Sequence, residues 1–203
     1  MALLDDGSAG FEATRRRLSP RQAEVVAQLV RATEQEVETV GYSGLTVRSV
    51  ARRAGVAPAT AYNYFSSKDH LLAEVLWRGM QSLPPVDARP VRPVPDRVAD
   101  AVRAMVLLTT ESAALVDAST QALLSNSADV RHLRDRIGSE IHHRLSAAVG
   151  PDVDPMVVRV LQASFSGALL AAGMGHMSSM DVPEFVASAA VLLLDGHRGA
   201  RTR

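Results

Sequence analysis

The chain has no cysteine, one tryptophan, one lysine and a formal net charge of zero over 203 residues. The first absence excludes disulfides and thiolate metal sites. Zero net charge argues against a protein that coats nucleic acid non-specifically, because that mode needs a general basic excess. Long hydrophobic runs are also missing, since every apolar stretch is interrupted by Asp, Glu, Arg or His well short of a membrane span. The opening residues carry acidic and small side chains where a secretory signal would start basic and turn apolar. A soluble cytoplasmic protein with no membrane partner is expected. What is present is ordinary for a packed fold: 47% hydrophobic and 22% charged residues, too apolar for a disordered chain. The length suffices for one sizeable core, or for a small head on a larger body.

The charge is unevenly spread. From Arg15 to Lys68 there are nine basic residues against four acidic ones, so the front quarter is suited to face phosphate while the rest balances it. Residues 1–18 show no apolar period and read as a flexible basic arm. Ser19 as N-cap, Pro20 at the first helical position and Gln22 closing a capping box start a helix that Gly41 stops. Thr46 caps a second helix ending near Arg53, with Leu45 and Val50 as a hydrophobic staple. Gly55 is placed for a turn, and Pro58 opens a third helix. Ser66 with Asp69 starts a fourth, whose stripe runs through Leu71, Leu72, Val75, Leu76, Met80 and Leu83. Five prolines from Pro84 to Pro95 forbid helix there and predict an extended connection. Helical patterns follow over about Asp96 to Thr110, Ser112 to Asn126, Ala128 to Val149, Pro155 to Ser178 and Val182 to Asp195. No strand pattern appears, so the expected class is all-α.

The helix, glycine turn and helix from Thr46 to Phe65 have the layout of a helix-turn-helix. Val47, Val50, Ala51, Ala54 and Val56 are spaced to pack the two helices, leaving Arg48, Thr60, Asn63 and Tyr64 outward. Spacing alone fits a helical hairpin inside an ordinary bundle equally well. Taken together, Gly41-Tyr42, Thr46-Val47, Val50-Ala51, Ala54-Gly55-Val56, Thr60, Tyr62, Tyr64-Phe65, Ser67-Lys68 and Leu71-Leu72 resemble the DNA-binding domain of the tetracycline-repressor (TetR) family. Three positions depart from the pattern: Ala57 where a capping Ser or Thr is common, Ala59 where Gly is common, and Ala61 where Leu is common.

The resemblance implies a head over 19–66 and a helical effector-binding and dimerisation body over 67–203. It further implies a recognition helix from Pro58 to Tyr64 in the major groove of double-stranded operator DNA, with Ala59, Thr60 and Asn63 presented to base edges. Ala57 and Pro58 would open that helix against the DNA. Tyr62 and Tyr64 would touch the sugar-phosphate backbone, as would Thr46, Arg48 and Lys68 at their helix starts.

No phosphate loop, GxSxG or ligand-spaced histidine set is visible, so neither an enzyme nor a metal or other cofactor is expected. The last two helices carry broad apolar faces rich in small residues. In the family such helices pair across a two-fold axis, which implies a homodimer with Ala168, Leu169, Ala172, Val186, Ala189 and Leu193 in its seam. Met80, Met105, Leu108, Gln121, Leu124 and Phe165 are candidate linings for a small-molecule effector pocket. The implied function is a transcriptional regulator, a repressor released from its operator by a small hydrophobic effector. The competing reading is an activator or a helical scaffold without effector-controlled repression.

Overall fold

The structure is a computed structural model describing residues 18–89, 91–110 and 113–201. The arm expected over 1–18 lies, apart from Leu18, outside the described residues. Among these residues the fold is all-α. The helices are α1 (Pro20–Gly44), α2 (Val47–Arg53), α3 (Pro58–Tyr62), α4 (Lys68–Ser82), α5 (Val94–Thr110), α6 (Ala113–Leu123), α7 (Ala128–Val149), α8 (Pro155–Gly173) and α9 (Val182–Arg201).

Local chemistry accounts for most of these boundaries. Ser19 and Gln22 form the reciprocal box that opens α1, the Ser19 N–H donating to Gln22 Oε1 at 2.8 Å. Gly41, at φ 65°, breaks the regular helix inside α1, as a residue without Cβ can do at little cost. Thr46 and Ser49 form a second box at α2, with the Ser49 N–H donating to Thr46 Oγ1 at 2.9 Å. Several expected boundaries are corrected: α3 ends at Tyr62 rather than Tyr64, α5 starts at Val94, inside the stretch where prolines were expected to forbid helix, and α6 ends at Leu123 rather than Asn126. The N-cap of α4 is Ser67, whose Oγ accepts from the His70 N–H at 3.1 Å, rather than Ser66. Helix α8 ends at Gly173 rather than Ser178, because Gly175 adopts φ 76° and the His176 N–H turns back to the Ala171 carbonyl. In the other direction α9 continues past Asp195 to Arg201, Gly196 being tolerated within the helix at a modest entropic cost.

The first core joins Val26, Leu29 and Val37 of α1 to Val50 and Ala51 of α2, Ala61, Phe65, and Leu71 and Leu72 of α4. Leu115, Ala118 and Ala122 of α6 belong to the same cluster. Hydrophobic packing therefore runs across the 66/67 division without a break. A second core in the body gathers Met80, Val98, Val102 and Met105 with Leu145, Leu161, Phe165, Val186 and Ala190. A third, smaller cluster sets Ala73 and Trp77 of α4 against Val130, Leu133 and Ile137 of α7. Arg144, only 6% exposed, closes the C-terminal end of α4 by donating to the carbonyls of Met80, Leu83 and Pro84. Its charge is matched by Glu140, whose Oε1 accepts from Nε at 2.9 Å.

Candidate nucleic-acid interface

Helices α2 and α3 cross through small, buried side chains. Ala51 and Ala61 have no exposed surface, which lets the backbones approach closely. Gly55 at φ 68° makes the turn between them, and the Val56 N–H bonds back to the Ala51 carbonyl at 2.9 Å. Phe65, fully buried, anchors the end of α3 and meets His70 edge-on at 5.2 Å between ring centroids.

This frame leaves a polar and small-residue surface outward. Thr46, Arg48, Ala57, Pro58, Ala59, Tyr62 and Asn63 are exposed, while Thr60 and Tyr64 are half-buried. The first turn of α3 is thus open to a partner, and Asn63, its C-cap, stands one turn further on. The two tyrosines part company: Tyr62 is 53% exposed, whereas Tyr64 packs against the first core. Ala57 is the N-cap of α3 and supplies no side-chain hydrogen bond, as its residue type dictates.

Lys68 is tied into the protein. Its Nζ donates to the Tyr42 carbonyl at 2.7 Å and sits 3.8 Å from the centroid of the Tyr42 ring. The Tyr42 hydroxyl donates to Asp69 Oδ1 at 2.8 Å. Burial, with the Asp69 hydrogen bond and charge, pushes the Tyr42 hydroxyl up to about 12, so it remains a donor. The ammonium has three N–H groups, so the Tyr42 carbonyl does not exhaust its donors. Arg53 pairs with Glu36 and donates from Nη2 to Thr39 Oγ1 at 3.1 Å. The Arg53 hydrogen bond holds the Glu36 carboxyl below the usual carboxylate range against the opposing effect of burial.

Sequence reasoning missed two links. The Tyr42–Lys68–Asp69 arrangement joins residues 26 and 27 apart, beyond the reach of any helical period. The Ser66 hydroxyl donates to Asp129 Oδ2 at 2.9 Å, connecting the end of the helix pair to the first turn of α7. Helix α4 is not alone in touching both parts: α6 and the start of α7 also meet the unit formed by α1 to α3 and the residues up to Ser66.

The body residues sort differently from their expected grouping. Met80, Met105 and Phe165 lie in the second core and Leu108 packs against it. Gln121 and the 67% exposed Leu124 are at the surface, because α6 turns its other side, with Ala118 and Ala122, to the first core. Of the six residues assigned to a seam, Ala168 and Val186 are buried in the protomer's own second core, and Leu169, Ala172, Ala189 and Leu193 pack against it. The outward apolar side of α8 and α9 is a different set: Met156, Val160, Leu170, Phe185, Val191 and Leu192.

Known proteins share this architecture and this motif. The family model for bacterial regulatory proteins, tetR family, matches residues 29–75, the span that holds α2, α3 and the start of α4. An HTH-type transcriptional regulator of Mycobacterium tuberculosis is 41% identical over 178 residues, covering 87% of this chain and 83% of that one. The HTH-type transcriptional repressor KstR of Rhodococcus jostii is 29% identical over 190 residues, covering 89% and 88%. Among solved structures, a TetR transcriptional regulator from Rhodococcus sp. RHA1 superposes with a TM-score of 0.72 at 21% identity, covering 85% of this chain and 96% of that one. FadR of Bacillus subtilis, solved in complex with stearoyl-CoA, gives 0.59 at 18% identity, covering 84% and 98%. The helix pair with its open third helix and the similarity that runs through the body lead to one assignment: the chain belongs to the TetR family of bacterial transcriptional regulators.

Proposed function

We propose that the chain is a homodimeric repressor that reads operator DNA with α3 and is released by a small hydrophobic effector held in its helical body. The observation that carries the reading is the exposed first turn of α3, Ala57 to Ala59 with Asn63 beyond it, mounted on buried Ala61 and Phe65. A short helix so fixed presents its N-terminal side chains to base edges, while Thr46, Arg48, Tyr62 and Lys68 would hold the sugar-phosphate backbone. Repression is supported by the relative named as a repressor. An apolar effector is supported by the gathering of Met80, Met105, Leu108 and Phe165 around one core, and by the structural neighbour solved with stearoyl-CoA. As a DNA-binding regulator it would act in the cytoplasm.

The route from body to DNA runs through α4, α6 and α7 together. Lys68 starts α4 beside Tyr42, and Trp77 and Met80 continue it into the body. The Ser66–Asp129 bond gives α7 a second hold on the end of the helix pair. A tilt of these elements would alter both ends, and the coupling must be reciprocal.

A gel shift with DNA flanking the protein's own gene, titrated with stearoyl-CoA as the first probe, tests both parts. The expected result is a sequence-dependent complex whose affinity falls about 5- to 150-fold on binding the probe, the range of typical coupling. Trp77 is the only tryptophan, so its emission should change over the same concentration range. A complex with no sequence preference overturns the operator reading, and a probe that binds in the body without changing operator affinity overturns release by that class of ligand.

A further inference from the structure

Among the described residues, two arginines of the body are buried, and only one of them has a counter-charge. Arg144 is paired with Glu140. Arg97, in the first turns of α5 and 7% exposed, donates from Nη1 to the Ala88 carbonyl at 2.9 Å and from Nη2 to the Val149 carbonyl at 3.3 Å. Among the described residues no carboxylate pairs with it, and its Nε has no acceptor. The Val149 carbonyl lies at the C-terminal end of α7, where the helix dipole offers a partial negative charge. That holds the guanidinium in place without neutralising it, and a buried unpaired cation is costly. The planar fork has five N–H donors, and its geometry matches an oxyanion.

The same guanidinium lines a groove of about 940 Å³ between the start of α5, the end of α7 and the loop into α8. Val94, Val149 and Val158 give the groove an apolar wall. His142 and His143 stand at its solvent edge, with Asp152 the only carboxylate among its lining residues and itself exposed. Gly150 leaves the approach to Arg97 uncovered: a Cβ there would stand 3.9 Å from Nη2, and the φ of 98° resists a side chain in any case. Helix α7 has 22 residues, so the groove is roughly 30 Å from the Ser66–Asp129 contact.

We propose that this groove binds an oxyanion on a short apolar body, a carboxylate or a phosphate ester, with Arg97 taking the head group and the valine wall the hydrocarbon. The proposal is independent of operator reading; the valine wall is the outer edge of the core that holds Phe165. Calorimetric titration of the full chain, without DNA, with octanoate, octyl phosphate, octanol and octylamine tests it. Both anions should bind saturably and at least tenfold more tightly than octanol or octylamine, their order showing whether carboxylate or phosphate is preferred. Arg97→Met should abolish that tenfold preference. Because Arg97 also holds the connection before α5, Ala147→Trp provides a second arm: Ala147 lines the groove and is half-buried, so the indole fills the space while Arg97 keeps its bonds. This variant should retain the helical circular dichroism of the parent and lose anion binding. Octanol binding as tightly as octanoate, undiminished anion binding by folded Ala147→Trp, or no binding of either anion would overturn the proposal.

Discussion

At the scale of single residues, Glu36 shows how a buried charge can secure the helix pair. Its carboxylate accepts from Arg53 at the end of α2, and this hydrogen bond depresses its pKa below the ordinary 4.5. A group whose folded pKa is depressed contributes stability that is present above its unfolded pKa and lost as pH falls through the folded one. Glu36→Gln should therefore cost about 1 kcal/mol near neutral pH, the size of a net hydrogen bond to a partly exposed charged partner. The gap from the parent should close as pH drops below about 4.5. Urea unfolding at pH 7 and pH 3.5 measures both values, and a gap that stays constant would contradict the role given to this pair. Neither Glu36 nor Tyr42 could be assigned its partner from the sequence, because the partners lie 17 and more residues away. The helix they share, α1, shows only that one end of each side chain is polar.

At the scale of elements, α3 is the shortest α-helix among the described residues. It has five residues and no side-chain cap, and an isolated helix of that length is far below the nucleation threshold. Its order comes from Pro58 at the first position and from Ala61 and Phe65 buried beneath it. Ala57 already has the extended backbone of an N-cap, φ −60° and ψ 135°, so Ala57→Ser should add the missing bond and stabilise the protein by about 1 kcal/mol. A higher thermal midpoint with unchanged fold is the expected result; a lower one would mean that the hydroxyl cannot reach the open N–H groups.

The caps at Ser19 and Thr46, the helix start at Pro58 and the bounds of α7 were legible in the sequence because each depends on residues within one turn. The end of α8 was not, since either Gly173, Gly175 or a later residue could have taken the left-handed conformation. The outward face of α8 and α9 was illegible for a different reason. Both sides of α8 are apolar: Leu161, Phe165 and Ala168 inward, Met156, Val160 and Leu170 outward. A period identifies a helix and its apolar sides, but it cannot say which side the protomer covers itself. Contrary to the expectation that every apolar stretch stops well short of a membrane span, α8 is long and apolar enough by composition to cross one, with Arg159 as its one charge, yet it packs between α7 and α9.

At the scale of the whole molecule, we propose that this outward face pairs two copies of the chain and so sets the arrangement of the heads. A two-fold dimer through α8 and α9 would set two copies of α3 on one side of the DNA, about one helical turn or slightly more apart. Leu192 is 75% exposed in the protomer, so Leu192→Arg should leave the fold intact while placing a charge in an apolar seam. Sedimentation should then show a monomer, and operator binding should fall with it, since each half-site would be held by one head alone. A variant that remains a dimer and still binds would remove this face from the assembly. Ala189, being turned partly toward the protomer's own core, is a poorer position for that test.

Selection of binding sites from random duplex DNA, run in parallel with the parent and Asn63→Ala, bears most directly on the claim that α3 reads sequence. The parent should return a pseudo-palindrome with half-sites about one helical turn or slightly more apart. The variant should return the same spacing with the preference relaxed at one base pair per half-site, a loss of about 1–3 kcal/mol for the matching base. An unchanged consensus from Asn63→Ala, or no consensus from the parent, would contradict the account.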